Sequence, residues 1–299
     1  MNELDAAGIT DPVLRASYEE CKRLNSLHGK TYYLATLLLP AHKRPFVHAL
    51  YGFARYADEI VDDLASTLSD QEKAAHLKTW GDSVLASIST GISTDHVGAA
   101  LIDTVRRFNI PQQHFVDFLH SMTMDLTVCT YKTYEDLMEY VYGSAAVIGL
   151  QMVPILGPLS DGAYEPAKKL GIAFQLANFI RDVGEDLDRG RIYLPLDELA
   201  QFGVSKEMLN ERKLTPQIVA ALKFQIERVR QLQREAEPGI ALLEASSRPC
   251  ISAASTLYCG IVDEVEKIGY DVFNKRAKTS TARRLRVALP AFIRAISAR

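Results

Sequence analysis

The sequence predicts an all-α, single-domain helical bundle, and three observations predict it. Apolar residues recur at three- and four-residue steps over most of the chain. Alternating polar–apolar runs are scarce, and no strand–helix alternation points to a parallel sheet. Helix breakers punctuate the pattern at Gly91, Pro111, Gly157-Pro158, Gly190, Pro195 and Pro238-Gly239. In chain order the periodicity gives helices over about 11–27, 42–65, 70–90, 95–108, 111–129, 133–153, 163–188, 205–211, 215–245, 249–271 and 281–297. DRGRIYLP follows the 163–188 helix, and its Gly190 and Pro195 predict a loop.

Bulk composition narrows the function. The 299 residues show no internal repeat, low-complexity tract or long linker, so one domain is expected over 1–299, with its core at about 20–290. Hydrophobic residues make up 47% and charged residues 24%, an ordinary globular balance. A net charge of -3 gives no basic excess for nucleic acid. Cys21, Cys129, Cys250 and Cys259 form no CxxC pair, which fits free thiols in a reducing cytoplasm. The polar, acidic opening MNELDAAGITDP is unlike a signal peptide. The greasiest stretch, Ala145 to Leu159, contains Gln151, Pro154 and Pro158 and falls short of the roughly 20 residues of a spanning helix. Any membrane contact is therefore expected to be peripheral. Residues 283–299, RRLRVALPAFIRAISAR, bear on this: Arg283, Arg284, Arg286, Arg294 and Arg299 punctuate apolar residues. That pattern suits a bundle helix with a basic edge, and it also suits a helix lying on an anionic surface.

Two predicted helices carry a polar stripe beside an apolar one. In residues 46–64, Phe46, Leu50, Phe53, Ala57, Ile60 and Leu64 make the core stripe. Tyr51, Arg55, Asp58 and Asp62 step by four, three and four along its edge. In residues 168–187, Ile172, Leu176, Phe179, Ile180, Val183 and Leu187 are the core stripe, and Gln175, Asn178, Asp182 and Asp186 line one edge. A merely solvated face would favour Lys and Glu pairs. Here two amides stand in register with two aspartates, supplying neutral and anionic oxygens, while Arg181 and Glu185 point elsewhere. Gly184 is unfavourable mid-helix by roughly 1 kcal/mol relative to Ala, so backbone or ligand is expected to come close there.

Paired aspartate stripes suggest magnesium, with manganese as a substitute. Magnesium prefers oxygen ligands and takes only one or two protein carboxylates alongside substrate phosphates. Facing helices about 8–10 Å apart leave room for a diphosphate and its ions. Neutralising a leaving diphosphate promotes ionisation to an allylic cation, and greasy surroundings keep water from it. Di-iron bundles need Glu-x-x-His pairs, which are absent, and the seven histidines form no zinc-like cluster with the cysteines. Neither GxGxxG nor GxxxxGK[ST] occurs, so no nicotinamide cofactor is expected.

HGKTYYLATLLLP (28–40), ALYGFARYADEIVDD (49–63), YVYGSAAVIGLQ (140–151), FQLANFIRDVGEDLDRGRIYLPLDEL (174–199) and YCGIVDEVEKIGYDVFNKRAKT (258–279) resemble the squalene/phytoene synthase family. The resemblance covers about residues 20–290, and DEIVDD, RDVGED and RGRIYLP look closest to the bacterial phytoene synthases. It implies an isoprenoid synthase fold with a central cavity. It further implies head-to-head condensation of two prenyl diphosphates through a cyclopropyl diphosphate. By that resemblance Asp58, Asp62, Asp182 and Asp186 are magnesium carboxylates, with Asn178 a further metal ligand. Gln175 supports metal and diphosphate, and Arg55 and Arg181 grip diphosphate oxygens. His28 and Thr31 lie near the first diphosphate, Thr31 standing where the family often has Ser. Glu59 stands where many members have Asp.

Tyr51, Tyr140 and Tyr258 match family positions lining the cavity, where an aromatic face stabilises a carbocation; a tyrosine on a bundle helix is otherwise a core residue. Gly143, Ser144, Ala145, Ala146 and Gly149 either widen the tail channel or let helices pack closely. Arg189 and Arg191 either close over diphosphate or belong to a surface loop. The substrate class implied is prenyl diphosphates, with two geranylgeranyl diphosphates giving phytoene. Squalene or dehydrosqualene synthesis from farnesyl diphosphate is the alternative, ahead of a terpene cyclase or chain-elongating prenyltransferase. A non-enzymatic interaction protein on this fold would have lost its acidic stripes, and all four aspartates are present.

Overall fold

The structure, a computed structural model, describes residues 2–62, 68–93 and 95–298, without the side chains of Asp62 and His96. Among the described residues no strand forms, and the extended pairings are two isolated bridges, Thr130 with Ile192 and Pro158 with Leu243.

After a short α1 (Glu3–Ala6), Asp11 starts α2 (Pro12–His28) by accepting the Leu14 N–H at 2.8 Å. A Cβ on Gly29 would lie 2.7 Å from both Asn25 and the Tyr51 ring, so the chain turns tightly there into α3 (Lys30–Thr36). Helix α4 (Arg44–Asp62) carries the first stripe, and Asp62 is its final residue. A reciprocal Ser69–Glu72 cap opens α5 (Asp70–Thr90), and Gly91, at φ 81°, closes it. Helices α6 (His96–Phe108) and α7 (Gln113–Thr127) complete the first half, in which α4 packs among α2, α5, α6 and α7.

Helices α8 (Tyr134–Val141) and α9 (Val147–Leu156) join through a π-helical turn, Tyr142–Ala146. The joined rod, Tyr134–Leu156, has 23 residues and is long and apolar enough to cross a membrane by length and composition. That corrects the shorter apolar stretch expected from sequence. The rod packs against α7 and against α10 (Tyr164–Asp188), the helix of the second stripe. Its small residues make this contact. A Cβ on Gly143 would overlap the Asp117 carbonyl, and one on Gly149 would overlap the Ala167 carbonyl.

Helices α11 (Leu196–Gln201) and α12 (Lys206–Asn210) precede α13 (Pro216–Ala236), which lies along α10. The helix expected over 215–245 stops at Ala236 and tightens into a 3-10 turn, Glu237–Leu242, because Pro238 cannot continue the ladder. The one expected over 249–271 divides at Gly260 into α14 (Arg248–Cys259) and α15 (Ile261–Lys267). Helix α16 (Thr281–Ser297) packs on α14. Helices α1, α3 and α11 were not expected from sequence.

Two apolar clusters form. One centres on α2 to α7, with Phe53 and Phe115 fully buried; the other centres on α10 and α13. Ile251 on α14 touches both. Where they meet, an apolar cavity of about 320 Å³ opens, lined by residues of both clusters.

Candidate active site

The cavity runs along α10. Its lining includes Ala163 and Pro166 at one end of that helix and Gln175 and Asn178 further along. At 1.5 Å per residue this is a run of roughly 20 Å. The walls are apolar side chains of α3, α9, α10 and α14, and Ser144, Ala145 and Gly149 contribute to them. Those small residues therefore serve both close packing and the cavity wall.

Polar groups gather toward the Asn178 end. Gln175, Asn178, Asp182 and Asp186 are all half-buried, as an edge stripe requires. The Arg181 Nε–H donates to Asp182 at 2.7 Å, so Arg181 lies beside the stripe and does not point elsewhere. Arg276 reaches the same carboxylate at 3.3 Å and Glu185 at 2.9 Å. Asp182 is thus held between two guanidiniums. Burial, then the Asp182 charge, pushes the Asp186 carboxyl up to about 7.

On α4, Arg55 donates to Asp58 at 2.9 Å and to Glu59 at 3.0 Å. His28, exposed at the end of α2, has Nε2 3.8 Å from Glu59. Thr31 is partly buried on α3. The Asp62 side chain lies outside the described residues. Tyr258 on α14 lines the cavity. Burial pushes its hydroxyl up to about 12, and it is within electrostatic reach of Tyr51 on α4 and Arg181 on α10. Its ring stacks on Phe174 at 4.8 Å, and Tyr51 lies 5.6 Å from Tyr32, which lines the cavity.

Two expectations are corrected. Tyr140 does not line the cavity. Its ring is buried against Phe179 and Tyr193, whose own rings stack 4.1 Å apart, and that aromatic cluster holds it. The surface-loop alternative holds for Arg189 but not for Arg191. Arg189 is exposed, but residues 192–195 are buried, because the Ile192 N–H donates to the Cys129 carbonyl at 2.8 Å and Leu196 to Tyr131 at 3.0 Å. Arg191 is clamped by Asp125 of α7, with a carboxylate contact at 3.1 Å and a bond to the Asp125 carbonyl at 2.9 Å. The Tyr193 hydroxyl donates to the same carboxylate at 2.6 Å.

Sequence reasoning missed Arg276 and Asp125. The signal for Asp125 was present: it is the lone acid amid Phe118, Leu119, Met122 and Leu126, where only a buried partner would justify a charge. Arg276 had no periodic signal.

The donor set fits a hard divalent cation. Half-buried carboxylates and an amide oxygen lie on one helix edge, and one carboxyl is held up by burial and then by a like charge, which a cation would offset. Among the described residues no three His, Cys, Asp or Glu side chains converge into a closed cage.

A helical bundle with acidic edges at one end of an apolar cavity defines the isoprenoid-synthase class of fold. The chain belongs to the squalene/phytoene synthase family, whose model matches residues 26–283. It is 38% identical over 284 residues to a 15-cis-phytoene synthase of Synechococcus elongatus, covering 91% of each chain. It is also 38% identical to a chloroplastic phytoene synthase 2 of Solanum lycopersicum, covering 95% of this chain and 92% of that one. The structure of a dehydrosqualene synthase with bound ligand superposes at TM-score 0.86, with 29% identity, over 95% of this chain and 98% of the other. A squalene synthase structure from Alicyclobacillus acidocaldarius superposes at 0.80, with 27% identity, over 89% and 98%.

Proposed function

We propose that this chain condenses two geranylgeranyl diphosphates head to head into phytoene, releasing diphosphate. The observation that carries the reading is the junction of the Gln175–Asn178–Asp182–Asp186 edge with an apolar cavity about 320 Å³ in volume. Such a site takes a molecule that is diphosphate at one end and hydrocarbon at the other. Its relatives named phytoene synthase, matching nearly the full length, support the choice of product.

Asp58, Asp62, Asn178, Asp182 and Asp186 would hold magnesium, which when bound neutralises the leaving diphosphate. Arg55, Arg181 and Arg276, with Arg189 at the mouth, supply guanidinium forks matched to phosphate oxygens. His28 and Thr31 would meet the first diphosphate. When the C–O bond of one substrate breaks, the electron pair leaves with diphosphate. The double bond of the second substrate then captures the allylic cation, and proton loss closes a cyclopropyl diphosphate. A second ionisation, a rearrangement and a final proton loss give the hydrocarbon without a reductant. Tyr258, Tyr51 and Tyr32 offer ring faces to the passing cation. Asp125 fixes Arg191 and Tyr193 beneath the site as positioning residues. The chain works as one domain in a reducing compartment, in peripheral contact with lipid.

The test offers geranylgeranyl and farnesyl diphosphates in competition, with magnesium, with and without NADPH. Phytoene as the dominant product in both conditions is expected. Dominant squalene dependent on NADPH, or dominant dehydrosqualene without it, would replace phytoene while keeping the chemistry. Cyclised, elongated or absent product would defeat the reading.

A further inference from the structure

Helix α16 presents an unusual face. Leu285, Leu289, Phe292, Ile293 and Ile296 are each between 47% and 63% exposed. At 100° per residue they occupy one arc of about 100°, and the row is roughly 16 Å long. The helix docks by the other side, where Ala291 and Ala295 are fully buried and α16 meets α14. The apolar row is thus not a misplaced core face: the core face of this helix is made of alanines.

Charge indicates what the row meets. The 17 residues of α16 include Arg283, Arg284, Arg286 and Arg294 and no acid, in a chain of net charge -3. Arg283 is spent on the fold, reaching Asp263 at 2.7 Å and Glu264 at 2.5 Å. Arg286 borders the apolar arc and is exposed, whereas Arg294, also exposed, points about 150° from the arc's centre. A greasy arc edged by arginine matches an anionic bilayer surface: side chains enter the acyl boundary and guanidiniums stay at the phosphates. Position supports the same occupant. Helix α14, on which α16 lies, lines the cavity with Cys250, Ile251, Ala254 and Tyr258. One layer of helix separates the hydrocarbon site from the exposed row.

We infer that α16 is the lipid-docking surface of this protein, lying flat on an anionic membrane through Leu285, Leu289, Phe292, Ile293 and Ile296, with Arg286 at the headgroups. It serves the prenyl-diphosphate reading above, but its test contains no substrate and stands apart from that reading. Purified full-length chain is floated with phosphatidylcholine vesicles, alone or mixed with phosphatidylglycerol. The parent should float with the mixed vesicles. Leu289→Glu with Phe292→Glu should lower bound protein at least about tenfold, and Arg286→Gln should weaken the preference for anionic lipid. Melting temperatures close to the parent's establish that both variants are folded. The inference is overturned if the parent does not float or if the glutamate variant floats equally well. It is also overturned if the glutamate variant only converts a dimer to a monomer while the parent ignores vesicles, which would make the face a contact with a second copy.

Discussion

A Cβ on Gly184 would stand 2.7 Å from the Val272 carbonyl oxygen, so α10 and the segment after α15 meet backbone to backbone. The close approach expected from a glycine in mid-helix is therefore a backbone approach. It also positions a functional group, since four residues beyond Val272 the Arg276 guanidinium contacts Asp182 and Glu185. Helix propensity alone says Gly184→Ala should stabilise by roughly 1 kcal/mol. The contact says the opposite, because forcing the segment away is overpacking, at about 1–3 kcal/mol. A lower melting temperature and a raised KM for the diphosphate substrate are expected together. A higher melting temperature with unchanged kinetics would show that the contact does not matter.

Asp58→Ala or Asp182→Ala should each lower turnover by on the order of a thousandfold, the scale of losing a major electrostatic stabiliser. Both side chains are half-buried at the edge of the core and fill none of it, so circular dichroism should match the parent. In Asp182→Ala, Arg181 and Arg276 lose their shared partner, and the affinity for inorganic diphosphate alone should rise or hold while magnesium-dependent turnover collapses. Near-normal turnover in either variant, or full activity in excess chelator, would defeat the metal assignment.

The stripes were legible because each is written within one helix, at spacings that the 3.6-residue turn converts into an edge. The contacts that hold the groups around them were not. Asp125 meets Arg191 across 66 residues, and Arg276 reaches Asp182 from beyond α15, and neither pairing leaves a period in the sequence. Helix α3 was missed because KTYYLAT is rich in aromatic and β-branched residues of modest helix propensity; its contacts with α2 and α14 hold it. Gly190 and Pro195 correctly announced a loop, and Gly190 adopts φ 71°. Only the pairing of that loop with residues 129–131 buries it, and pairing is a tertiary fact.

His48 makes stability depend on pH. It is fully buried, its Nδ1 is 2.9 Å from the Asn25 amide, and burial, aided by Lys22 and Arg44, lowers it to about 3. Glu3 lies 3.8 Å from Nε2 but is already held by Lys22 at 2.6 Å, so it offers the imidazolium little. The unfolded chain binds the proton more readily than the folded one. Stability from this group is therefore complete above about 6.5 and is lost as pH falls toward 3, by at most roughly 1.4 kcal/mol per unit. Asp186, raised in the fold, acts in the opposite sense, so the informative quantity is a difference. Between pH 7 and 5 the parent's melting temperature should fall more steeply than that of His48→Gln. Equal slopes would remove His48 as the cause.

The last prediction concerns tail length. Ala163 is buried at the start of the run of α10 that lines the cavity, and Asn178 lies further along at the polar end. A longer tail whose diphosphate is anchored near Asn178 must pass more of the wall between them. Ala163→Phe adds a ring where the cavity would receive the far end of a geranylgeranyl chain, while a farnesyl chain stops short of it. The diphosphate end is untouched, so metal dependence should not change. Each methylene that no longer fits is worth about 1–3 kcal/mol of discrimination. The ratio of kcat/KM for geranylgeranyl over farnesyl diphosphate should therefore fall at least about tenfold, with farnesyl turnover largely retained. A ratio that stays the same would place the tails elsewhere than along α10, and a uniform loss with both substrates would mean that the substitution had disturbed packing instead of length.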